Sequence, residues 1–466
     1  MEYVSTRGHH KRYGFIDTFL LGLAEDGGLM MPATLPQITP TQWQQWATLN
    51  FQELMFEICS LFTNGEIPEA DLRKLINDSY AGFRSDEVTP LVKIADHLYI
   101  LELFHGPTFA FKDVALQLIG NMYAYVAEKR GEIIHILGAT SGDTGAAAIE
   151  GVRGKRGIRI CILHPHEKVS KVQELQMTTV HDDNVLNLAV KGTFDDCQRI
   201  IKDLFADLEF KGKYHLRAIN SINFVRILAQ IVYYFYAYFR YIERSPGKRV
   251  SFSVPTGNFG NLLSAYLAKR MGLPIDRLIL ATNENNILER LINQGIYQPD
   301  SFRSTYSPSM DIQVASNFER YLYYIVGENP ATVASLMQQF RQEGKLTFTG
   351  EHLHQMQVDF LAHGVGNQEC LQTIRTYYEQ AGYLLDPHTA CGVAAYDALE
   401  NKMQAESCVV LATAHPAKFD ESIQQVEIEQ EFPPQIAKLA GRPQYLQVVE
   451  RSNEAVAEQL VAFFGA

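Results

Sequence analysis

The sequence predicts an α/β protein with doubly wound, mostly parallel sheets, preceded by a small and mainly helical N-terminal domain. Three observations carry this reading. From about residue 97, short apolar runs alternate with helical patterns, the signature of strand–helix–strand units. Residues 1–90 lack that alternation and show helix-like apolar spacing instead. The 466 residues are 46% hydrophobic and 20% charged, a globular balance on a chain long enough for two or three domains and a large core.

The elements follow in order. In the lead-in unit, Trp43 to Thr63 and Pro68 to Phe83 carry helical spacing, and Asp26-Gly27-Gly28-Leu29 before Met31-Pro32 is a turn signal. Apolar runs bounded by polar or turn residues predict strands at Leu98–Leu103, Ile133–Leu137, Ile158–Leu163, Val185–Val190, Val250–Val254, Leu278–Thr282 and Cys408–Ala412. Helical patterns follow most of them, at Lys112–Lys129, Thr144–Val152, Ser170–Thr179, Phe194–Leu208, Asn258–Met271 and Ile287–Gln294. The longest apolar stretch, Phe224 to Ile242, contains Arg226, Gln230 and Arg240, so it reads as a core helix and not a membrane span. Between 300 and 370 only Pro330–Gly344 is clearly helical. No repeat or low-complexity tract interrupts the chain.

A net charge of −12 argues against a nucleic-acid surface, which needs clustered Lys and Arg. Cys59, Cys161, Cys197, Cys370, Cys391 and Cys408 include no C-x-x-C pair, and the polar N-terminus shows no signal-peptide pattern. Reduced, buried thiols and a cytoplasmic location are expected.

In sheets of this kind ligands bind beyond the carboxyl ends of the strands, so the loops that follow strands are where chemistry is expected. Four segments stand out. Val254-Pro255-Thr256-Gly257-Asn258-Phe259-Gly260-Asn261 joins a strand to a helix, and its converging N–H groups at a helix N-terminus suit a phosphate. It is neither a Walker A loop nor G-x-G-x-x-G, and such a turn is also found as a plain tight turn. In His105-Gly106-Pro107-Thr108-Phe109-Ala110-Phe111-Lys112-Asp113, Lys112 has apolar company. Desolvation favours the free amine that forms Schiff bases, although a lysine at a helix start can also snorkel to solvent. Thr140-Ser141-Gly142-Asp143-Thr144-Gly145 offers hydroxyls and orphan N–H groups, fit for a carboxylate or a simple helix cap. Ala412-Thr413-Ala414-His415-Pro416-Ala417-Lys418-Phe419 puts Thr413 and His415 just past a strand.

Together these segments resemble the threonine synthase family, within fold type II of the pyridoxal-phosphate enzymes. The resemblance spans nearly the whole chain. Tyr3-Val4-Ser5-Thr6-Arg7-Gly8 and Asp26-Gly27-Gly28-Leu29 look like that family's N-terminal domain. The four segments, with Asn220-Ser221-Ile222-Asn223, occur in the family's order. A domain boundary near residue 90 is implied, with residues 91–466 forming two α/β subdomains and the cofactor between them.

The resemblance implies roles. Lys112 matches the Schiff-base lysine; Gly257, Asn258, Phe259, Gly260 and Asn261 match the loop for the cofactor phosphate; Thr413 matches the hydroxyl at the pyridine nitrogen. Asp143 falls where many relatives have Asn beside the ring hydroxyl. Thr140, Ser141 and Thr144 would meet the substrate carboxylate, with Gly257 and Gly260 permitting close backbone approach to the ligand. Lys168, Ser221, Asn223 and Arg226 are candidates for the substrate phosphate, although Lys168 and Arg226 also fit surface or packing charges, and His415 is expected near the cofactor. The implied reaction turns O-phospho-L-homoserine and water into L-threonine and phosphate, in a monomer or homodimer with no nucleic-acid or membrane partner and no metal.

Three rivals remain. A phospho-lyase of the threonine-synthase-like type would eliminate phosphate without adding water, but Asn258-Phe259 and His415 keep the synthase-like pattern. A threonine or serine dehydratase fits neither the Asp26-Gly27-Gly28 domain nor the His415 segment. A non-catalytic sensor of a phosphorylated metabolite would not need Lys112 in its full motif.

Overall fold

The computed structural model describes residues 1–465. Two parallel sheets dominate. The larger has six strands in the order Phe360–Gly364, Ile275–Thr282, Val250–Pro255, Ser407–Ala412, Leu98–Glu102 and Leu91–Ala95, parallel except for the last pair. The smaller has five parallel strands in the order Gln447–Val449, Val185–Val190, Ile158–Pro165, Ile134–Ala139 and Leu216–Ala218.

The seven strands expected from sequence are the seven interior strands of these sheets. Val250–Pro255 and Ser407–Ala412 are buried at every position, because helices cover both faces, and they therefore read as unbroken apolar runs. The four unforeseen strands are all edges. Leu216–Ala218 and Gln447–Val449 have three residues each, and Phe360–Gly364 carries His363 and Gly364, so none presents a continuous apolar run.

The stretch Trp43–Thr63 is two helices, Pro40–Trp46 and Phe51–Thr63. Asn50 ends the continuity by capping the second: its Oδ1 accepts from Glu53 N at 2.9 Å, and Glu53 Oε2 accepts from Asn50 N at 3.0 Å. The region 300–370 also holds helices Phe318–Ile325 and Gly350–Asp359 beyond the expected Pro330–Gly344, which ends at Glu343 with Gly344 as its left-handed cap.

Helix Phe224–Arg244 lies at the centre, against helices Lys112–Arg130, Gly260–Arg270 and Phe51–Thr63. The N-terminal helices pack on it through Phe51 against Tyr236 (centroids 5.5 Å apart) and Trp46 against Phe235 (6.1 Å). Arg7 ties the N-terminal segment to Glu319 at 2.7 Å. No helix among the described residues is long and apolar enough to cross a membrane, and no His/Cys/Asp/Glu cluster among them could hold a metal.

Candidate active site

The carboxyl ends of the interior strands of both sheets feed one cluster. Phe109 takes a left-handed backbone (φ +61°), a strained state for a bulky residue that is held by Arg84 over its ring at 3.4 Å. The turn lets Ala110 bridge to Ala414, Phe111 N donate to Thr413 O at 2.8 Å and His415 N donate to Phe109 O at 3.1 Å. Two segments three hundred residues apart are thereby locked together, and helix Lys112–Arg130 starts in the cleft.

Only 11% of the Lys112 side chain is exposed, and its Nζ lies 3.1 Å from Asp143 Oδ2. Burial lowers the Lys112 pKa; Asp143 pulls it back up, while Lys418 and Arg226 push it further down. Burial alone would raise the Asp143 pKa, yet Lys112 and Lys418 hold it well below the usual carboxylate range. Gln173 Nε2 and Ser309 Oγ also donate to Asp143, at 2.8 and 3.2 Å.

The loop after Ile134–Ala139 closes on itself. Thr140 Oγ1 accepts from Gly142 N (2.9 Å) and Gly145 N (2.8 Å), and Thr140 N donates to Leu163 O. Thr140 therefore shapes the loop, and neither its hydroxyl nor its N–H is left for a substrate. The N–H groups of Ser141, Asp143 and Thr144 donate to no protein acceptor and sit at the start of helix Asp143–Val152, a ready carboxylate site.

The loop after Val250–Pro255 is held from outside. Phe259 is left-handed (φ +64°) and fully buried, and the N–H groups of Gly257, Asn258, Phe259, Gly260 and Asn261 donate to no protein acceptor. This suits a phosphate at the N-terminus of helix Gly260–Arg270. Both glycines are also required by the packing of the protein itself. A Cβ on Gly257 would stand 2.8 Å from Ile312 Cγ1, and one on Gly260 3.2 Å from Asn317 Nδ2, so both glycines make room for the segment 310–317. The Asn261 side chain turns away from the loop to accept from Tyr234 Oη at 2.7 Å.

Thr413 is buried, and no side-chain hydrogen bond ties its hydroxyl to another of the described residues. Arg226 is 4% exposed, makes no ion pair among the described residues and leaves Nε without an acceptor among them; burial pulls its pKa down to about 10. A buried guanidinium with no counter-ion is costly unless an anion visits it. The other candidates for the second phosphate are differently placed. Asn223 caps helix Phe224–Arg244 through Val225 N (3.1 Å) and donates to Phe19 O (2.8 Å), so both ends of its side chain are used. Ser221 Oγ pairs with Ser316 Oγ at 3.0 Å, beside Asn258. Lys168 is exposed and donates to Gly192 O, away from the Lys112 contacts. His415 packs on Phe104 and Phe109, accepts from Ala417 N at 3.1 Å and lines a separate cleft of about 330 Å³ with Glu102, Tyr383 and Glu429. Burial pulls its pKa down to about 4.

Sequence reasoning missed Ser309, Ser316 and Asn317. Asn317 N donates to Asn258 O (3.1 Å) and its Nδ2 to Ser221 O (3.2 Å), fastening the second loop. It also missed Gln173 and Lys418. Lys418 had the signal already used for Lys112, a lysine between apolar neighbours in Pro416-Ala417-Lys418-Phe419.

Comparison with known proteins gives three matching family models: "Threonine synthase N terminus" over residues 2–80, "Pyridoxal-phosphate dependent enzyme" over 83–414 and "Threonine synthase, C-terminal" over 389–461. The chain is 46% identical to threonine synthase of Pseudomonas aeruginosa, covering 92% of this chain and 91% of that one. It is 36% identical to human threonine synthase-like 2, covering 97% and 95%. Among solved structures, pyridoxal-phosphate-bound threonine synthase from Brucella melitensis matches with a TM-score of 0.95 and 44% identity over the full length of both chains.

Proposed function

The chain belongs to the threonine synthase family, of pyridoxal-phosphate fold type II, and from that premise we propose how its cleft converts O-phospho-L-homoserine and water into L-threonine and phosphate. The observation that carries the reading is a pair of anion-accepting features around one desolvated amine. The free N–H groups of residues 257–261 suit the cofactor phosphate, and the unpaired Arg226 guanidinium suits the phosphate of the substrate.

When bound, pyridoxal phosphate supplies the electron sink for chemistry at the substrate's α and β carbons. The protein's own groups do the rest. Lys112 holds the cofactor, and its low proton affinity favours the uncharged amine needed for that bond. When not bonded to the cofactor, the Lys112 amine would be the base that moves the α and β protons. Thr413 would offer its hydroxyl to the pyridine nitrogen, and Asp143 would face the ring hydroxyl. The N–H groups of Ser141 and Thr144 orient the substrate carboxylate. Arg226, with Ser221 on the turn before its helix, draws the departing phosphate and so assists its release from the γ carbon before water adds at the β carbon. Thr140, Asn223 and His415 position these groups by shaping the loops and helix starts, as their hydrogen bonds support.

We also take residues 1–90 as the family's N-terminal domain and 91–466 as the catalytic region, divided between the two sheets. A cytoplasmic monomer or homodimer acting on a small molecule, without nucleic acid, is supported by six free buried cysteines and the net charge of −12.

Product analysis tests the reading. Incubated with O-phosphohomoserine, the protein is expected to release L-threonine and phosphate in nearly equal amounts with little 2-oxobutyrate. Mainly 2-oxobutyrate, or action on phosphoethanolamine alone, would establish a phospho-lyase instead.

A further inference from the structure

Lys418 is the most deeply buried ammonium in the cleft, with none of its side chain exposed. Its Nζ lies 2.6 Å from Asp143 Oδ1 and donates to Thr108 O at 2.7 Å. The opposite oxygen of the same carboxylate faces Lys112. One carboxylate thus stands between two lysines, with neutral Gln173 and Ser309 completing its donors. The other charged groups around the pair are Asp113, Arg84 and Arg226. Asp113 accepts from Thr108 N and Oγ1, and burial lifts its pKa to about 6; Arg84 and Lys418 face it. Arg226 adds positive charge near Lys112. Four cations therefore face two carboxylates, an excess that favours the loss of a proton from a lysine. Lys418 is the more firmly held of the two lysines, with the shorter contact to Asp143 and a second hydrogen bond to Thr108 O. Lys112 has the longer contact and the only open side.

We propose that Lys418 is a positioning residue, a permanent counter-ion on Asp143 that frees Lys112 to shed its proton. With Asp143 neutralised from behind, the Lys112 amine can enter and leave its bond to the cofactor and act as a base between. The aspartate meanwhile stays ionised and fixed through both states. The role rests on the functional reading above, because it concerns the lysine assigned to the cofactor.

The test measures the Lys112 proton affinity directly. Trace acetic anhydride competes for individual lysines of the cofactor-free protein across a pH series, and peptide mass spectrometry follows Lys112. Lys418→Gln keeps two hydrogen-bond donors but removes the charge. It is expected to raise the Lys112 pKa by about one unit or more, and to shift the pH titration of the visible absorbance of the cofactor-loaded protein in the same direction. Asp143→Asn/Lys418→Gln, which removes both charges, should return Lys112 to within about half a unit of the parent. If Lys418→Gln does not fold, the comparison of Asp143→Asn with the double variant isolates the same charge, and a higher Lys112 pKa in the double variant is expected. An unchanged or lowered Lys112 pKa on losing Lys418, in either background, overturns the proposal and leaves Lys418 a structural tie. Since labelling needs no turnover, a failed product assay would break the functional reading and leave this result standing.

Discussion

Two loops of the cleft have the same plan, strand then turn then helix N-terminus, and opposite construction. The loop 140–145 is self-contained: one hydroxyl, Thr140 Oγ1, gathers two of its N–H groups and fixes the turn locally. The loop 257–261 has no such internal strut. Its five N–H groups stay free, and its shape is imposed by Asn317, Ser316 and Ile312, which reach it from fifty residues away. A loop that spends N–H groups on itself keeps fewer for a ligand. A loop that must offer all of them to a phosphate has to be braced by something else. The difference also separates what could be read locally from what could not.

The first loop faces Lys112 through Asp143, and the largest effect comes from removing that lysine. Lys112→Ala should lower phosphate release by more than about 10³-fold while leaving both loops intact, so weak cofactor binding survives. Comparable turnover in a steady-state assay would show that neither loop serves that amine. Bracing is tested next with Asn317→Ala. It removes the donor to the Ser221 carbonyl and the acceptor of the buried Arg320 Nη1, and should cost about 2–3 kcal/mol of stability. Cofactor affinity should fall with it, measured by urea denaturation and equilibrium titration; full cofactor affinity would mean that the second loop stands unaided. Thr140→Val, close in shape, orphans the N–H groups of Gly142 and Gly145. About 1–2 kcal/mol of stability and a higher KM are expected, with cofactor affinity nearly unchanged. An equal loss of cofactor affinity would erase the distinction between the loops. The smallest effect belongs to Thr413→Val, about 0.5–1.5 kcal/mol in cofactor binding from one lost hydrogen bond.

Gly260→Val bears on the same contrast. Its Cβ would press on Asn317, so its first effect should be on folding and only through that on the cofactor. A melting-temperature measurement beside a cofactor titration separates the two.

Interior strands were legible because burial on both faces writes itself as an apolar run; Ser407–Ala412 has no exposed position. Edge strands such as Leu216–Ala218 are too short to leave a pattern. The cleft was legible where motifs are local, at Lys112, Asp143 and 257–261. The segment Ser307–Asn317 was not: its polar, aperiodic residues are fixed by tertiary contacts, including Ser309 N to His388 Nε2 at 3.2 Å. Arg226 illustrates the reverse case. Its residue type left a packing charge open, and only its burial without a counter-ion separates the two roles.

The most direct test of the central claim is borohydride reduction of the cofactor-loaded protein followed by peptide mapping. Two buried lysines flank Asp143, so the outcome is a choice between near neighbours. The pyridoxyl group is expected on Lys112 alone, with Lys418 unmodified. A label on Lys418, or on any lysine outside the cleft, would contradict the assignment of this site.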